Sequence, residues 1–412
     1  MNPESRSTPP APSPSLPPRL DVLPYGRQWI DDDDIAAVVA ALRQDAITTG
    51  PSVAAFERAL ADAVGARHAV AVSNGTAALH AAVHAAGVGP GDKVAVPAVT
   101  FLATANCARY VGAEPVFVDV DPTTGLIDLG ALEVVAAQGV AAILPVHLTG
   151  RSVDLDGVLA IAAKSGAVVI EDAAHALGAR YRGRPIGGPG GGAMATFSFH
   201  PVKHATTAEG GAITTEDDDL AEAMRTFRSH GMTKDPKVLR HPSPGPWYYE
   251  AHSSGYNYRI TDVQCALGVS QFRKLDFFLA RRRALVARYD ALLADVPAVR
   301  PNGSGPAGAD AVDDSAWHLY AVRIDFDAIG MSRADVMAGL LARGVGTQVH
   351  YIPLPAQPVF ADAGAPSMAQ FPGAAAYYAQ TLSLPLFPAM HDDDPERVVA
   401  ALIEVLGGRG TP

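Results

Sequence analysis

Short apolar runs alternate with helical repeats along most of this chain, and that alternation restricts its possible folds more than any other feature. From Ala69 onward the apolar runs are AVAVS, KVAVPAV, PVFVDV, AAILPVHL, AVVIED and ATFSF, each bounded by turn residues. Parallel strands need long crossover connections, which are usually helices. The pattern therefore predicts an α/β fold in which helices sandwich a mostly parallel sheet.

At 412 residues the chain is long enough for two or three domains. Residues 1–20 are rich in Pro and Ser, so we expect a disordered tail there. After Asp262 a long helical repeat leads to further strands near WHLYAVRI and TQVHYI. We predict a large domain over residues 21–282 and a smaller C-terminal α/β domain over residues 283–412.

Composition argues against several classes of partner. Lys and Arg total 32 against 43 Asp and Glu, and the net charge of −11 disfavours non-specific binding to nucleic acid or anionic lipid. No apolar run reaches the roughly 18 residues that span a bilayer, and the first residues lack the apolar core of a signal peptide. Two cysteines, Cys107 and Cys265, are too few for a disulfide framework. We expect a cytoplasmic protein without nucleic-acid or membrane partners.

Three patterns imitate metal or nucleotide sites. The acidic run Asp31–Asp34 opens a helical repeat, where acids favour the positive helix end, so we interpret it as a helix start. His200 and His204 are four apart, but Pro201 argues against a continuous helix that would align them on a metal. The run Gly188–Ala193 matches a degenerate dinucleotide fingerprint, yet we expect a strand after it rather than the phosphate-binding helix. We therefore predict neither a metal site nor a dinucleotide site.

The segment SNGTAAL joins a strand to a helix. The strand ends at Ser73 and the helix begins near Thr76, which leaves unpaired backbone N–H groups beside a hydroxyl at a positively polarised helix end. Such a helix end can bind a phosphate. A turn capped by Ser73 or Thr76 explains the same residues almost as well.

Asp172 and His175 lie at the end of the buried run AVVIED, at the carboxyl end of a strand, where ligands of open α/β sheets gather. An ionised carboxylate at that place needs a partner, and a protonated pyridine nitrogen would be one. On position alone, a helix cap at Asp172 and a hydrogen-bonded core histidine at His175 are the plainer interpretation.

Lys203 lies in FSFHPVKHATTAEGG, between an aromatic strand and a polar turn. A lysine that acts as a nucleophile must be neutral part of the time, and apolar surroundings that lower its pKa meet that condition. Most lysines are solvated surface charges, so Lys203 alone does not establish a site.

Four segments together resemble, in order and spacing, the sugar-nucleotide aminotransferase family of fold type I, often called the DegT type. They are SNGTAAL, EDAAHALGARYRG, FSFHPVKHATTAEGG and GYNYRITDVQCALG, and the match runs from about Tyr25 to the end of the chain. The segments PYGRQWIDDDDI, TTGP, HPVKH, NYRITD, QVHYIP and LSLPLFPAM are most similar to the branch of the family that serves pseudaminic acid biosynthesis. The resemblance implies a transaminase that depends on pyridoxal phosphate.

The resemblance also implies a role for each matching residue. Lys203 would carry pyridoxal 5′-phosphate as a Schiff base, Asp172 would pair with the pyridine nitrogen, and His175 would lie near the ring hydroxyl. The implied cofactor-binding set is Gly75, Thr76, Phe101, Asp172, His175, Ser198, Lys203 and Asn257. The set matched to the sugar-nucleotide site is Tyr25, Thr48, Thr49, His350 and Tyr351.

Four of these residues are expected to contact the ring face or a cofactor phosphate. Phe101 of PAVTFLATAN would stack on the ring, and Thr76 and Ser198 would hold the phosphate. Asn257 of GYNYR would reach the phosphate of the cofactor in the neighbouring subunit. The resemblance therefore implies a homodimer with shared active sites.

The implied reaction moves an amino group from L-glutamate to C4 of a UDP-linked 4-keto-6-deoxy-N-acetylhexosamine. Lys203 argues against the related dehydratases, which carry histidine at that position. Ala208 and Ala193 depart from the family, where glycine and aspartate are common, but neither change removes a catalytic group. Two alternatives stay open. The chain could aminate another 4-keto nucleotide sugar, of perosamine or bacillosamine type, or be a regulator that binds pyridoxal phosphate without catalysis.

Overall fold

The structure is a computed structural model that describes residues 16–302 and 315–407. Its strands, in chain order, are β1 (His68–Val72), β2 (Lys93–Pro97), β3 (Glu114–Val118), β4 (Ala142–Ile143), β5 (Val168–Asp172), β6 (Arg180–Tyr181), β7 (Arg184–Pro185), β8 (Met194–Ser198), β9 (Gly211–Thr215), β10 (Met232–Thr233), β11 (Glu250–Ala251), β12 (Val299–Pro301), β13 (Tyr320–Ile324) and β14 (Thr381–Leu384). Its α-helices are α1 (Asp32–Leu42), α2 (Pro51–Val64), α3 (Gly75–Ala85), α4 (Leu102–Tyr110), α5 (Leu129–Ala136), α6 (Leu155–Ser165), α7 (Asp218–Phe227), α8 (Asp262–Phe272), α9 (Leu275–Leu293), α10 (Phe326–Ile329), α11 (Arg333–Leu341), α12 (Pro358–Ala361), α13 (Pro372–Gln380) and α14 (Asp394–Val405).

Seven strands form a central sheet, in the spatial order β1-β9-β8-β5-β4-β2-β3. The neighbours from β8 to β3 pair in parallel, whereas β9 runs antiparallel to both of its neighbours. The mostly parallel sheet predicted from the alternation of apolar runs and helical repeats is thus confirmed. Because the parallel strands end at the same edge, their carboxyl ends bring distant parts of the chain together there.

Helices cover both faces of the central sheet. One face packs against α3 and α4, with Leu79 and Ala105 among the buried residues. The opposite face packs against α2, α5 and α6, through Phe56, Leu132 and Val158. With both faces covered, the strands are buried on both sides, which explains why they appear in the sequence as continuous apolar runs.

A second, antiparallel sheet of β12, β13 and β14 shares a core with α9, α11 and α14. The predicted domain boundary at residues 282 and 283 falls inside α9, which contributes Leu279 to the core of the central sheet and Leu285 to that of the second sheet. The division into two domains at that point stays a prediction.

The strand predicted near TQVHYI is wrong. Gln348 makes a single bridge to Ser383 at the edge of the second sheet, and the chain then leaves the sheet. Pro353 and Pro355 follow closely, and neither has an N–H group that could extend a ladder of hydrogen bonds.

The acidic run near the amino terminus starts a helix, as predicted. Asp31 caps α1: its Oδ1 accepts a hydrogen bond from the backbone N–H of Asp34 at 3.1 Å, and Asp34 accepts one from the N–H of Asp31 at 3.2 Å. Lys274 Nζ lies 2.6 Å from both carboxylates. The run therefore serves a helix start and an ion pair with the loop before α9.

The predicted disordered tail falls largely on residues 1–15, which lie outside the described residues. Its last residues differ from the prediction because they contact the start of α14. The Pro17 carbonyl lies 3.1 Å from His391 Nε2, and Arg19 pairs with Asp394 at 3.4 Å. Within the described ranges, no helix has both the length and the apolar character needed to cross a membrane.

Candidate active site

A cavity of about 900 Å³ opens at the carboxyl edge of the central sheet. Strands β5 and β8 end at the cavity, and the loop after β2 and the start of α3 border it. Most of the predicted site residues line this cavity, namely Tyr25, Gly75, Thr76, Phe101, Asp172, His175, Ser198, Lys203, His350 and Tyr351. The structure therefore brings together side chains that are separated by more than three hundred positions in the sequence.

The amino-terminal end of α3 forms one wall of the cavity. Its cap is Asn74, whose Oδ1 accepts a hydrogen bond from the N–H of Ala77 at 2.8 Å, and not Ser73 or Thr76 as the simple-turn alternative required. A Cβ atom at Gly75 would lie 3.1 Å from the Cβ of Ser198, so glycine allows β8 to approach the helix end closely. The cap thus leaves the Thr76 hydroxyl for other partners, next to helix N–H groups that suit a phosphate.

Asp172 lies on the floor of the cavity and is buried. Its Oδ2 accepts a hydrogen bond from Thr104 Oγ1 at 2.8 Å, and its Oδ1 accepts one from the N–H of Ala174 at 3.2 Å. Thr104 Oγ1 also lies 2.8 Å from Thr100 Oγ1. No helix starts at Asp172, so the helix-cap interpretation is wrong. The carboxylate is oriented by neutral donors, and none of the ion pairs among the described residues involves it, which fits a cationic ring nitrogen as its partner.

Lys203 lies above this floor and is half-buried. Its pKa is lowered to about 8, chiefly by burial; the negative charge of Asp172 opposes this shift, and the positive charge of Arg282 adds to it. An amine with this pKa is neutral in a useful fraction of molecules near neutral pH. Lys203 therefore meets the requirement that a nucleophilic lysine be neutral part of the time.

The two histidines that flank Lys203 have different surroundings. His200 is exposed, whereas His204 is buried with its Nε2 3.0 Å from the carbonyl oxygen of Ala316. They do not converge on one point as metal ligands would. In the part of the chain that the structure describes, no group of three His, Cys, Asp or Glu side chains could hold a metal ion.

The glycine-rich run before β8 packs against Glu171 of β5. The N–H of Gly192 donates to Glu171 Oε1 at 2.6 Å, and a Cβ atom at Gly191 would lie only 2.3 Å from that oxygen. Strand β8 follows directly, as predicted, and not a helix. The glycines therefore serve close packing against β5 rather than the binding of a dinucleotide.

His175 contacts aromatic residues at the back of the cavity. Its Nε2 lies 3.2 Å from the Tyr351 hydroxyl, and its ring centroid lies 4.3 Å from that of His318. Burial and the charge of Lys203 hold the pKa of His175 well below its usual value, so the ring is neutral at pH 7. Its position fits a role as a neutral hydrogen-bonding group.

Aromatic rings line the mouth of the cavity. Phe101 precedes α4 and is 55% exposed, and its centroid lies 6.0 Å from that of Tyr351. The Tyr25 ring lies 5.3 Å from the His350 ring, whose Nδ1 is 2.9 Å from Ser383 Oγ. Burial and the charge of Lys203 lower the pKa of His350 to about 3. The mouth is therefore neutral and aromatic on this side.

Three predicted residues do not line the cavity of their own chain. Thr48 forms a bridge with Thr261, and Thr49 follows it in a left-handed conformation with φ 54°. Asn257 forms a bridge with Ser229. Because Asn257 was expected to act in a neighbouring subunit, its position leaves that prediction untested, whereas Thr48 and Thr49 are not part of the site formed by one chain.

Several cavity or contact residues were missed by the sequence analysis. Thr104 lies in the first turn of α4 and Thr100 precedes the helix, so no helical spacing relates the two and no sequence motif marked them. His318 lies just before β13 and has no recognisable motif around it. Tyr258 of GYNYR contacts His80 Nδ1 through its hydroxyl at 3.0 Å.

Comparisons with known proteins agree with this geometry. A model of the DegT/DnrJ/EryC1/StrS aminotransferase family matches residues 28–403. The spore coat polysaccharide biosynthesis protein SpsC of Bacillus subtilis (strain 168) is 40% identical over 393 residues, which are 95% of this chain and 98% of that protein. Among solved structures, Helicobacter pylori PseC, an aminotransferase involved in the biosynthesis of pseudoaminic acid, is similar with a TM-score of 0.85 and 29% identity, over 94% of this chain and 100% of that one. Streptococcus pneumoniae Spr1654 in its PLP-form also has a TM-score of 0.85 and 29% identity, over 94% of this chain and 99% of that one.

Proposed function

Because the chain belongs to the DegT/DnrJ/EryC1/StrS aminotransferase family, we propose that it transfers an amino group from L-glutamate to C4 of a UDP-linked 4-keto-6-deoxy-N-acetylhexosamine. The chain has the fold type I architecture, and its family and the PLP-form of a similar structure indicate pyridoxal phosphate as cofactor. The observation that carries the proposal is one cavity in which a lysine with a lowered pKa lies near a buried carboxylate that forms no ion pair with the described residues.

The proposed product is UDP-4-amino-4,6-dideoxy-N-acetyl-β-L-altrosamine, as in the pseudaminic acid pathway. The similarity in fold to PseC supports this choice over the length of both chains. The neutral, aromatic mouth formed by Tyr25, Phe101, His350 and Tyr351 is compatible with a sugar ring.

Besides Lys203, five side chains of the same chain would hold the cofactor in this proposal. Thr76 and Ser198, with the end of α3, would bind its phosphate, and Phe101 would cover one face of its ring. Asp172 would pair with the ring nitrogen, and His175 would lie near the ring hydroxyl. When bound, pyridoxal phosphate supplies a carbonyl carbon that takes up amino groups and a protonated ring that draws electrons from the reacting carbon.

Lys203 would act in two ways. Its Nζ would bind the cofactor covalently, which requires a neutral amine, and its pKa of about 8 permits this. Once the amino acid has displaced it, the same Nζ would take a proton from the carbon that carries nitrogen and return one during the second half of the reaction. Asp172, held by Thr104 and the N–H of Ala174, would keep its negative charge beneath the ring nitrogen throughout.

The first experiment tests the lysine. Purified wild-type protein with pyridoxal phosphate should absorb visible light as the covalently bound cofactor does, and L-glutamate should change that spectrum. Lys203→Ala should lose both the spectrum and the transaminase activity. A Lys203→Ala variant with full activity would overturn the proposal, and a wild-type protein whose bound cofactor does not respond to glutamate would fit a regulator instead.

The second experiment tests the substrate. The protein is incubated with L-glutamate and a panel of UDP-, GDP- and dTDP-linked 4-keto-6-deoxy sugars, and the products are identified by mass spectrometry and NMR. We expect amination at C4 of the UDP-linked N-acetylhexosamine. Turnover of a GDP- or dTDP-linked ketose alone would contradict this substrate while leaving the aminotransferase family intact.

Another 4-keto nucleotide sugar is the second candidate substrate. SpsC, a protein of spore coat polysaccharide biosynthesis, is 40% identical to this chain, which exceeds the 29% identity to PseC. Sugar specificity depends on side chains at the mouth of a shared fold, so the same panel decides between the two substrates.

We also propose a homodimer in which Asn257 reaches the partner's cofactor phosphate. Its position outside the cavity of its own chain supports this arrangement. Lys203→Ala and Asn257→Ala should each be inactive as pure proteins. When they are co-expressed, random pairing restores one complete site in half of the dimers, so activity should recover to about a quarter of wild type. Absence of recovery in isolated mixed dimers would contradict a shared site.

A further inference from the structure

A fully buried arginine lies behind the candidate site. Arg282 of α9 is 0% exposed, and its Nη1 donates to the carbonyl oxygens of Trp317 at 3.2 Å, His318 at 3.1 Å and Leu386 at 3.0 Å. Its Nε and Nη2 have no hydrogen-bond partner among the described residues. No ion pair in the described ranges includes Arg282, so the guanidinium is held by backbone carbonyls alone.

Burial of an unpaired charge has a high free-energy cost, so a core position that keeps one calls for an explanation. The neighbouring Arg281 has an ordinary surface role, since its Nη1 pairs with Asp392 at 2.5 Å. Burial lowers the pKa of Arg282 to about 9, which still leaves it charged at pH 7. Packing alone would be served as well by an uncharged side chain of similar length.

The charge of Arg282 acts on groups that surround Lys203. It opposes protonation of Lys203 itself, of His204 and of His318. The His318 ring lies 5.6 Å from the ring of His204 and 4.3 Å from that of His175, and the Nδ1 atoms of all three rings are buried without a partner. The titratable groups around Lys203 are Tyr25, Asp172, His175, His200, His204, Glu209, His318, His350 and Tyr351. Of these, Asp172 opposes the effect of Arg282.

The segment that carries His318 links the arginine to the site. His204 Nε2 contacts the carbonyl of Ala316, and Arg282 contacts the next two carbonyls, so both side chains hold the same short piece of backbone. A Cβ atom at Gly150 would lie 2.7 Å from the backbone nitrogen of Trp317, which shows how closely this piece is packed. The guanidinium therefore has a fixed position relative to the cavity wall.

We propose that Arg282 is a positioning residue that keeps Lys203 nucleophilic, because its fixed, unpaired positive charge disfavours a second positive charge on Lys203 and on the neighbouring histidines. The consequence for catalysis rests on the proposed role of Lys203. The electrostatic effect itself does not depend on that role, since it concerns the amine of the free chain.

The test measures the titration of Lys203 in the full chain without cofactor. Trace labelling with acetic anhydride across pH 6–10, followed by mass spectrometry of the peptide that contains Lys203, reports the fraction of neutral amine at each pH. In wild type we expect a midpoint near pH 8. In Arg282→Gln, which keeps a donor for the carbonyls but loses the charge, the midpoint should rise by about one pH unit, so labelling at pH 7 should be about tenfold slower.

Tyr289→Phe is the matched control. Tyr289 lies two turns further along α9, is equally buried, and donates through its hydroxyl to the Pro385 carbonyl at 3.0 Å, next to the Leu386 carbonyl that Arg282 contacts. This variant loses a comparable buried contact without a change of charge, so its Lys203 midpoint should equal that of wild type.

Three results would overturn the proposal. They are an unshifted midpoint in folded Arg282→Gln, an equal shift in Tyr289→Phe, and a wild-type midpoint above pH 10, which requires no variant to fold. Since the labelling needs neither cofactor nor substrate, a failure of the proposed transaminase function would leave this result readable by itself.

Discussion

Strand β5 ends in two successive acids, Glu171 and Asp172, and the two sides of the strand onto which they project differ sharply. On one side Glu171 Oε2 lies 2.8 Å from His147 Nε2 and Oε1 accepts from the N–H of Gly192 at 2.6 Å, so both oxygens have partners. On the other side Asp172 borders the cavity and is oriented by Thr104 and the Ala174 N–H. Adjacent residues of a strand point to opposite faces, so the same backbone supports both arrangements.

The difference teaches what separates a structural acid from a candidate catalytic one. Glu171 is enclosed by groups of its own chain, and its histidine partner is equally buried. Asp172 has donors that fix its direction but no cation among the described ion pairs, and it faces a space large enough for a ligand. Both acids are buried, so burial does not distinguish them. They differ because only Asp172 still needs a cationic partner.

The strongest test of this contrast is Asp172→Asn. The amide has the same shape, and its oxygen can accept from the Ala174 N–H while its NH2 group donates to Thr104 Oγ1, since a hydroxyl can also accept, so the free energy of unfolding should change little. It carries no negative charge to pair with a protonated ring nitrogen, so the rate of the half-reaction with L-glutamate should fall about a thousandfold, or about 4 kcal/mol of transition-state stabilisation. Stopped-flow absorbance with the cofactor bound measures this rate, and a loss smaller than tenfold would remove Asp172 from the proposed role.

Glu171→Gln should show the reverse pattern. His147 Nδ1 accepts from the N–H of Val153 at 3.2 Å, so its Nε2 carries the hydrogen and donates to Glu171. The glutamine amide has one oxygen for two donors, and one buried N–H group must face an NH2 group. The expected loss is about 2 kcal/mol of unfolding free energy, measured by urea titration. The half-reaction rate of the folded fraction should equal that of wild type. A large drop in that rate would contradict a purely structural role for Glu171.

Thr104→Val tests whether the orientation of Asp172 matters. The substitution keeps the volume but removes the donor 2.8 Å from Asp172 Oδ2, so we expect the half-reaction to slow about tenfold, equivalent to about 1.4 kcal/mol. Thr214→Val on the Glu171 side is the matched control, because Thr214 Oγ1 donates to the Gly187 carbonyl at 2.7 Å. The control should lose stability without loss of rate, and equal rates in both variants would refute the role of Thr104.

The smallest predicted effect concerns backbone strain. On the Glu171 side, Gly187 and Gly190 occupy positions with φ 82° and 81°, whereas on the cavity side Ala208, in the loop after Lys203, has φ 65°. A side chain other than glycine is disfavoured in this left-handed region, so Ala208→Gly should stabilise the protein by about 0.5–1 kcal/mol in urea titration. Ala193→Gly, at a position without positive φ, should instead destabilise slightly, and a stabilisation of both variants would argue against strain as the cause.

Much of this arrangement was open to prediction from the sequence. The apolar runs indicated the sheet, and the positions of Asp172 and Lys203 at strand ends placed them at one edge, because parallel strands share their carboxyl ends. Their roles came from the resemblance of long segments, and those roles remain proposals.

Other parts depend on packing that no local pattern encodes. The run from Arg281 to Arg283 looks like solvated surface, and Arg282 is buried only because α9 lies between the two cores. The strand expected near TQVHYI does not form, because Gln348 makes only a single bridge to the edge of the second sheet and Pro353 and Pro355 follow closely. Thr48 and Asn257 do not line the cavity of their own chain, and a local sequence pattern carries no information about contacts between two chains.

Both cysteines are enclosed, one on each face of the central sheet. Cys107 donates to the Thr104 carbonyl at 3.2 Å in the core beside α4, whereas Cys265 belongs to the opposite core beside α8. Burial raises the pKa of both thiols, so neither reacts readily while the fold is closed. Each layer of helices therefore covers one cysteine. The relative rates at which a thiol reagent modifies Cys107 and Cys265 reveal which layer opens first.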